Sequence, residues 1–148
     1  MSLERRITAI KLVQRIKQYE IDGHAAKLAV IRARQADLQA ELNNLTQMRD
    51  REGHASTLEA APYLASFLRA IKSRSSYLTG QLAELDRESA DMELQLQTAF
   101  AESKANESAL NRAEEEVKLE RERAEIAASE EIARSMYLRR RRKVGFVL

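Results

Sequence analysis

The side chains able to do chemistry are few, and they are scattered. The two histidines, His24 and His54, stand about 30 residues apart with no carboxylates spaced around them as a metal site requires. There is no cysteine, which removes thiolate nucleophiles, sulfur-ligated metals and disulfides, and which fits a reducing compartment. The four glycines, at 23, 53, 80 and 145, form no loop that could cradle a phosphate. Catalysis needs groups converging in a pocket that excludes water. This inventory offers none, so no catalytic residue, cofactor or metal is expected and the chain reads as a non-enzyme.

Charge is the chemistry that remains. Glu114, Glu115, Glu116, Glu120, Glu122 and Glu125 alternate with Lys118, Arg121 and Arg123, which on a helix gives many opposite pairs three and four residues apart. Arg139, Arg140, Arg141, Arg142 and Lys143 form the densest run, followed by the apolar stretch Val144 to Leu148. Five clustered cations could neutralise phosphates. No aromatic rings are threaded through them for stacking, and no recognisable nucleic-acid fold surrounds them. An acidic protein surface or plain solvation is the favoured reading, with nucleic acid and an anionic membrane as alternatives. The formal net charge is only +2, but residues 1–52 and 112–148 are basic and residues 53–111 acidic. Such asymmetry bears on partners and orientation.

The elements that position these groups are helices. Of 148 residues, 44% are hydrophobic and 32% charged, with one proline and no tryptophan, a composition closer to a coiled coil than to a broad globular core. Steps of four and three from Leu3 reach Ile7, Ile10, Gln14, Lys17, Ile21, His24, Leu28, Ile31, Gln35, Leu38, Leu42, Leu45, Arg49 and Glu52. The same walk from Leu64 reaches Leu68, Ile71, Ser75, Leu78, Leu82, Leu85, Ser89, Met92, Leu96, Ala99, Ser103, Asn106, Leu110, Ala113 and Val117 without losing register. A heptad sustained this long predicts a left-handed coiled coil. Between the runs, Gly53 can close a first helix, and Ser56 with Glu59, or Pro62, can open a second.

The expected fold is therefore all-α: a single long antiparallel two-helix coiled-coil hairpin with a longer second helix. Helix 1 is expected at about 3–52, the tip at 53–61, helix 2 at about 62–140 and a basic, apolar tail at 139–148. At 1.5 Å per residue the helices would be roughly 75 and 115 Å long. Folding at the tip would bring Leu3 near Leu110 and leave Arg112 to Lys143 projecting, with Leu119, Ile126, Ala133 and Tyr137 as a thin apolar line.

Three details qualify the seam. Val13 and Ile16 sit one place before Gln14 and Lys17, so the apolar stripe is expected to drift or widen there. Gly23 permits either an intact helix or a break at Asp22. Ser75, Ser89, Ser103 and Asn106 should lower stability while favouring close approach or a specified register. Near the tip, Tyr63, Phe67 and Tyr77 run one place before the seam residues. They form either a protein-binding patch or a wider core. No segment approaches the roughly 18 consecutive apolar residues of a spanning helix. The basic, amphipathic start lacks the apolar block of a secretory signal, with a transit peptide as the alternative.

The Leu3, Ile7 and Ile10 start, the hairpin centred near residue 57 and the longer, charge-rich second helix together resemble the YscO and FliJ family. These are central stalk proteins of bacterial type III secretion and flagellar export. The resemblance implies an antiparallel two-helix coiled coil, similar to the terminal helices of the gamma subunit in rotary ATP synthases. It implies a cytoplasmic place at the base of the apparatus, of which the injectisome branch is the closer likeness. The end holding both termini would enter a hexameric export ATPase, and the tip side would contact the cytoplasmic ring of the export gate; family members also handle secretion chaperones. On this chain the ATPase side would comprise Leu3, Arg5, Arg6, Ile7, Leu119, Ile126, Arg139, Arg140, Arg141 and Arg142. The gate side would comprise Tyr63, Phe67, Ile71 and Tyr77. Neither nucleic-acid binding nor membrane insertion is expected. The alternatives are a generic coiled-coil scaffold and a basic, nucleic-acid-associated helical protein.

Overall fold

A computed structural model describes the backbone of residues 2–54 and 58–147, and the side chains of residues 2–54 and 58–145. Two helices account for nearly all of it: α1, Leu3–Glu52, and α2, Ala61–Val147. They pack against each other as an antiparallel hairpin, and no strand occurs among the described residues.

Local chemistry sets the ends. The Ser2 hydroxyl accepts a hydrogen bond from the Arg5 amide at 3.3 Å, the geometry of an N-terminal cap, and Glu4 stands in the first turn where a carboxylate suits the helix dipole. Arg49 and Arg51 occupy the last turn of α1, the favourable end for cations. Gly53 follows, and a methyl group placed on it would lie 2.1 Å from the Arg49 carbonyl oxygen. Close approach of the backbone, rather than a left-handed turn, is what requires glycine there. Pro62 lies in the first turn of α2, where its missing N–H costs nothing. The capping alternative through Ser56 falls outside the described residues.

Packing divides the chain into two units, Met1–Lys17 with Glu102–Leu148, and Gln18–Ala101. In the second unit the seam is mostly apolar. Ile21, Leu28 and Leu38 of α1 and Ile71, Leu78 and Ala99 of α2 are buried, with Leu78 fully so at 0% exposure. Arg32 with Glu93 at 2.9 Å, Gln35 with Asp86 at 2.7 Å and Arg74 with Glu41 at 2.8 Å bridge the helices along its edges. The hydrogen bond to the Glu41 carboxylate pushes the Arg74 guanidinium further above its ordinary value, and its carbon lies 5.3 Å from the centre of the Tyr77 ring.

In the first unit the seam is held by polar groups as well. The Asn106 side-chain amide donates to the Ile10 carbonyl at 3.0 Å and to Gln14 Oε1 at 2.7 Å. Gln14 Nε2 in turn donates to Ser103 Oγ at 3.0 Å. Ser103 is buried, and Gln14 and Asn106 are half-buried. Lys17 pairs with Glu102, and Lys11 approaches Glu114 at 3.9 Å.

Three expectations need correction. Val13 and Ile16 are exposed, so the stripe does not drift: Gln14 and Lys17 keep the seam because α2 offers them partners. At Gly23 the intact helix, not the alternative break, is found, since α1 is continuous there. The pairing of Lys11 with Glu114 and of Ile10 with Asn106 sets the amino-terminal turn against residues further along than Leu110, so the unpaired part of α2 begins after Val117 instead of at Arg112. The stretch taken for a tail beyond residue 140 continues α2 to Val147.

Candidate protein-binding surfaces

The described residues present grooves and faces rather than an enclosed cavity with converging groups. No set of three or more His, Cys, Asp or Glu among them could hold a metal ion. No helix among them is long and apolar enough to cross a membrane. His24 is half-buried on the seam, and its Nδ1 is buried without a hydrogen-bond partner. A buried nitrogen left unpaired lowers stability, which makes His24 a seam residue and not the centre of a polar site.

In the unit Gln18–Ala101 the sequence-predicted aromatic stripe separates into different roles. Ile71 is 8% exposed and belongs to the seam, so it offers no surface to a partner, contrary to its place on the expected gate side. Phe67 is half-buried and widens the core next to it. Tyr77 is exposed but stacked under Arg74. Tyr63 remains an open ring at 80% exposure, and Leu58, which the sequence reading passed over, is 95% exposed. An isolated leucine in a stretch of small and polar residues, with no seam position to fill, was the available signal.

In the unit holding both chain ends, the expected ATPase-side residues fall into two groups. Leu3 and Ile7 are half-buried on the seam, whereas Arg5 and Arg6 point away from it. Where α1 begins, Ile7 and Lys11 share a groove with Val117, Lys118 and Arg121 of α2. The arginines at 139–142 begin about 18 residues beyond Arg121 on α2, roughly 27 Å at the helical rise. Sequence reasoning had joined the two groups into one surface.

Between and around them lies a single helix. Every residue from Lys118 to Gly145 is exposed. Leu119, Ile126 and Tyr137 form the apolar line the periodicity had marked. Ile132, Met136 and Leu138, which it had not, are also exposed and point to other sides of the same two turns. At 100° per residue, Ile132, Ala133, Met136, Tyr137 and Leu138 spread over about two thirds of the helix circumference, a much broader face than the line through Leu119, Ile126 and Tyr137. Their local density, rather than any period, was the signal in the sequence. Charge on this helix is polarised: residues 114–131 carry eight carboxylates and three cations, whereas residues 132–145 carry six cations and no carboxylate.

No protein-family profile, curated protein or solved structure matches the chain.

Proposed function

We propose that the chain is a central stalk component of a bacterial type III secretion export apparatus, joining a hexameric export ATPase to the export gate. One observation carries this reading: every residue of α2 from Lys118 to Gly145 is exposed, and in its turns 132–138 apolar side chains spread over about two thirds of the helix circumference. Apolar side chains spread over more than one face call for cover on more than one face. A partner that lies against one face would leave the others wet; a ring of subunits would cover them all. The basic run at 139–143 then meets carboxylates on the inner wall of that ring, and Arg5 and Arg6 meet its rim.

The mechanism follows from asymmetry. A helix at the centre of identical subunits touches them unequally, so it binds one ring arrangement better than another and shifts the ring toward it. The paired part of the hairpin passes that bias on to the gate, where Tyr63 and Leu58 supply the exposed apolar contact. Handling of secretion chaperones, and a cytoplasmic place at the base of the apparatus, belong to the same reading.

The test is to purify the full chain with the hexameric export ATPase of its own genome and follow ATP hydrolysis. The reading predicts binding and stimulated hydrolysis, lost in a double variant Ile132→Glu with Tyr137→Glu whose helicity is unchanged. An assembled ring that neither binds the chain nor responds to it would overturn the reading.

A further inference from the structure

The polarised charge of the exposed helix has a partner of its own kind. We infer that two copies of the chain pair through residues 118–145 of α2, antiparallel and symmetrically, when no other partner covers this helix. The inference stands independently of the secretion reading.

Geometry and charge select the same arrangement. In an antiparallel pair, the acidic half of one helix lies along the basic half of the other, twice by symmetry. A parallel pair would set acidic against acidic and basic against basic. With Ile126 set opposite Tyr137 of the second copy, the same register sets Leu119 opposite Val144, all four exposed in the single chain. On the two flanks of that seam Glu120 then faces Arg141, and Glu122 faces Lys143. The four side chains are exposed, and no intrachain ion pair involves them among the described residues. Arg123 meets Arg140 in two layers of the seam, one on each side of the two-fold axis, and Glu130 faces Ala133 in two more, so these charged side chains must extend sideways to reach solvent. Those layers make the pair weak, held by charge as much as by apolar contact, so it dissolves in salt and yields to a partner that covers the same faces.

Two measurements on the full chain test this. The first is mass against concentration by sedimentation equilibrium. The wild-type chain, 16.9 kDa, is expected to approach twice that mass as concentration rises in low salt and to return to monomer in high salt. The variants Glu120→Arg with Glu122→Lys, and Arg141→Glu with Lys143→Glu, should each stay monomeric alone and recover the doubled mass when mixed. The second uses the absence of native cysteine. Ile126→Cys and Tyr137→Cys, placed in separate chains and mixed under oxidation, should form a mixed disulfide. Ile126→Cys alone should cross-link poorly, because its two copies would lie roughly 16 Å apart along the pair. A monomer at every concentration would overturn the inference, as would ready Ile126→Cys homodimers, which report parallel pairing. So would monomeric protein whose residues 118–145 are instead protected by phosphatidylserine vesicles, since the basic end would then be serving a lipid surface.

Discussion

The two units of the hairpin solve the same packing problem with different side chains. Between Gln18 and Ala101 the seam is filled mainly by Ile21, Leu28, Leu38, Ile71 and Leu78, which gain stability from apolar burial, while the polar contacts between the helices, Arg32 with Glu93, Gln35 with Asp86 and Arg74 with Glu41, lie on exposed edges. In the unit with both ends, Asn106 reaches across to Gln14 and the Ile10 carbonyl, and Gln14 reaches back to Ser103. Hydrogen bonds with fixed partners fit one register only. Polar seam residues give up stability for that specificity. The lesson is that one unit draws chiefly on apolar burial, with its polar contacts between the helices on exposed edges, whereas the other places part-buried hydrogen bonds inside the seam.

Substitutions can break or sharpen this contrast. The largest effect belongs to the apolar seam. Leu82→Pro should cost about 3 kcal/mol or more by removing a helical hydrogen bond, and Leu78→Ala, at a large side chain with 0% exposure, about 2–5 kcal/mol. Both are read as loss of the thermal transition followed by circular dichroism. A Leu78→Ala protein as stable as wild type would mean that the apolar seam is not where the stability lies.

Asn106→Ala should cost less, about 1 kcal/mol, because its partners are only partly buried. Asn106→Leu sharpens the comparison. It should raise the denaturant midpoint while loosening register, so that spin labels on α1 and α2 near Ile10 and Asn106 report a broadened distance distribution. A single sharp distance in Asn106→Leu would assign the register to another feature.

Gly23→Ala should stabilise by about 0.5–1 kcal/mol, since an added methyl group meets nothing within 4 Å and α1 runs straight through that position. Destabilisation there would point to a hinge. The smallest effect is expected outside both seams: Ile132→Ala or Tyr137→Ala should shift the stability of the free chain by no more than about 0.5 kcal/mol. The same substitutions should weaken binding to any partner that surrounds the helix.

Much of this was legible from spacing alone. The four-and-three walks land on buried or half-buried side chains from Leu3 to Leu45 and from Leu64 to Val117, and only the last two steps of the first, Arg49 and Glu52, are exposed. The hairpin and the longer second helix follow from them and from the glycine and proline at the tip. What periodicity could not supply was partner identity. Gln14 and Lys17 looked like gaps in the stripe because their value depends on Ser103, Asn106 and Glu102, between 85 and 92 residues away. The register was missed by a few residues for a related reason: a loop's length fixes pairing only loosely, whereas the contacts of Asn106 and Lys11 fix it closely. Ile71 was given to a surface because it neighbours aromatic residues in sequence, yet its seam position buries it. On the candidate surfaces, Leu119, Ile126 and Tyr137 were found by their period. Ile132, Met136 and Leu138 were not, because a helix exposed on all sides has no period to detect.

The central claim is that α2 beyond Val117 has no cover in the free chain and acquires it from a partner that surrounds it. Amide hydrogen exchange resolved along the sequence tests this most directly, with the chain at a concentration where its mass is that of a monomer, alone and with the assembled export ATPase. The predicted result is slow exchange through the seam between Gln18 and Ala101 in both samples. Residues 118–145 should exchange fast in the free chain and become protected in the complex. Residues 118–145 as protected as the seam in the free monomer, or unchanged by the ring, would contradict it.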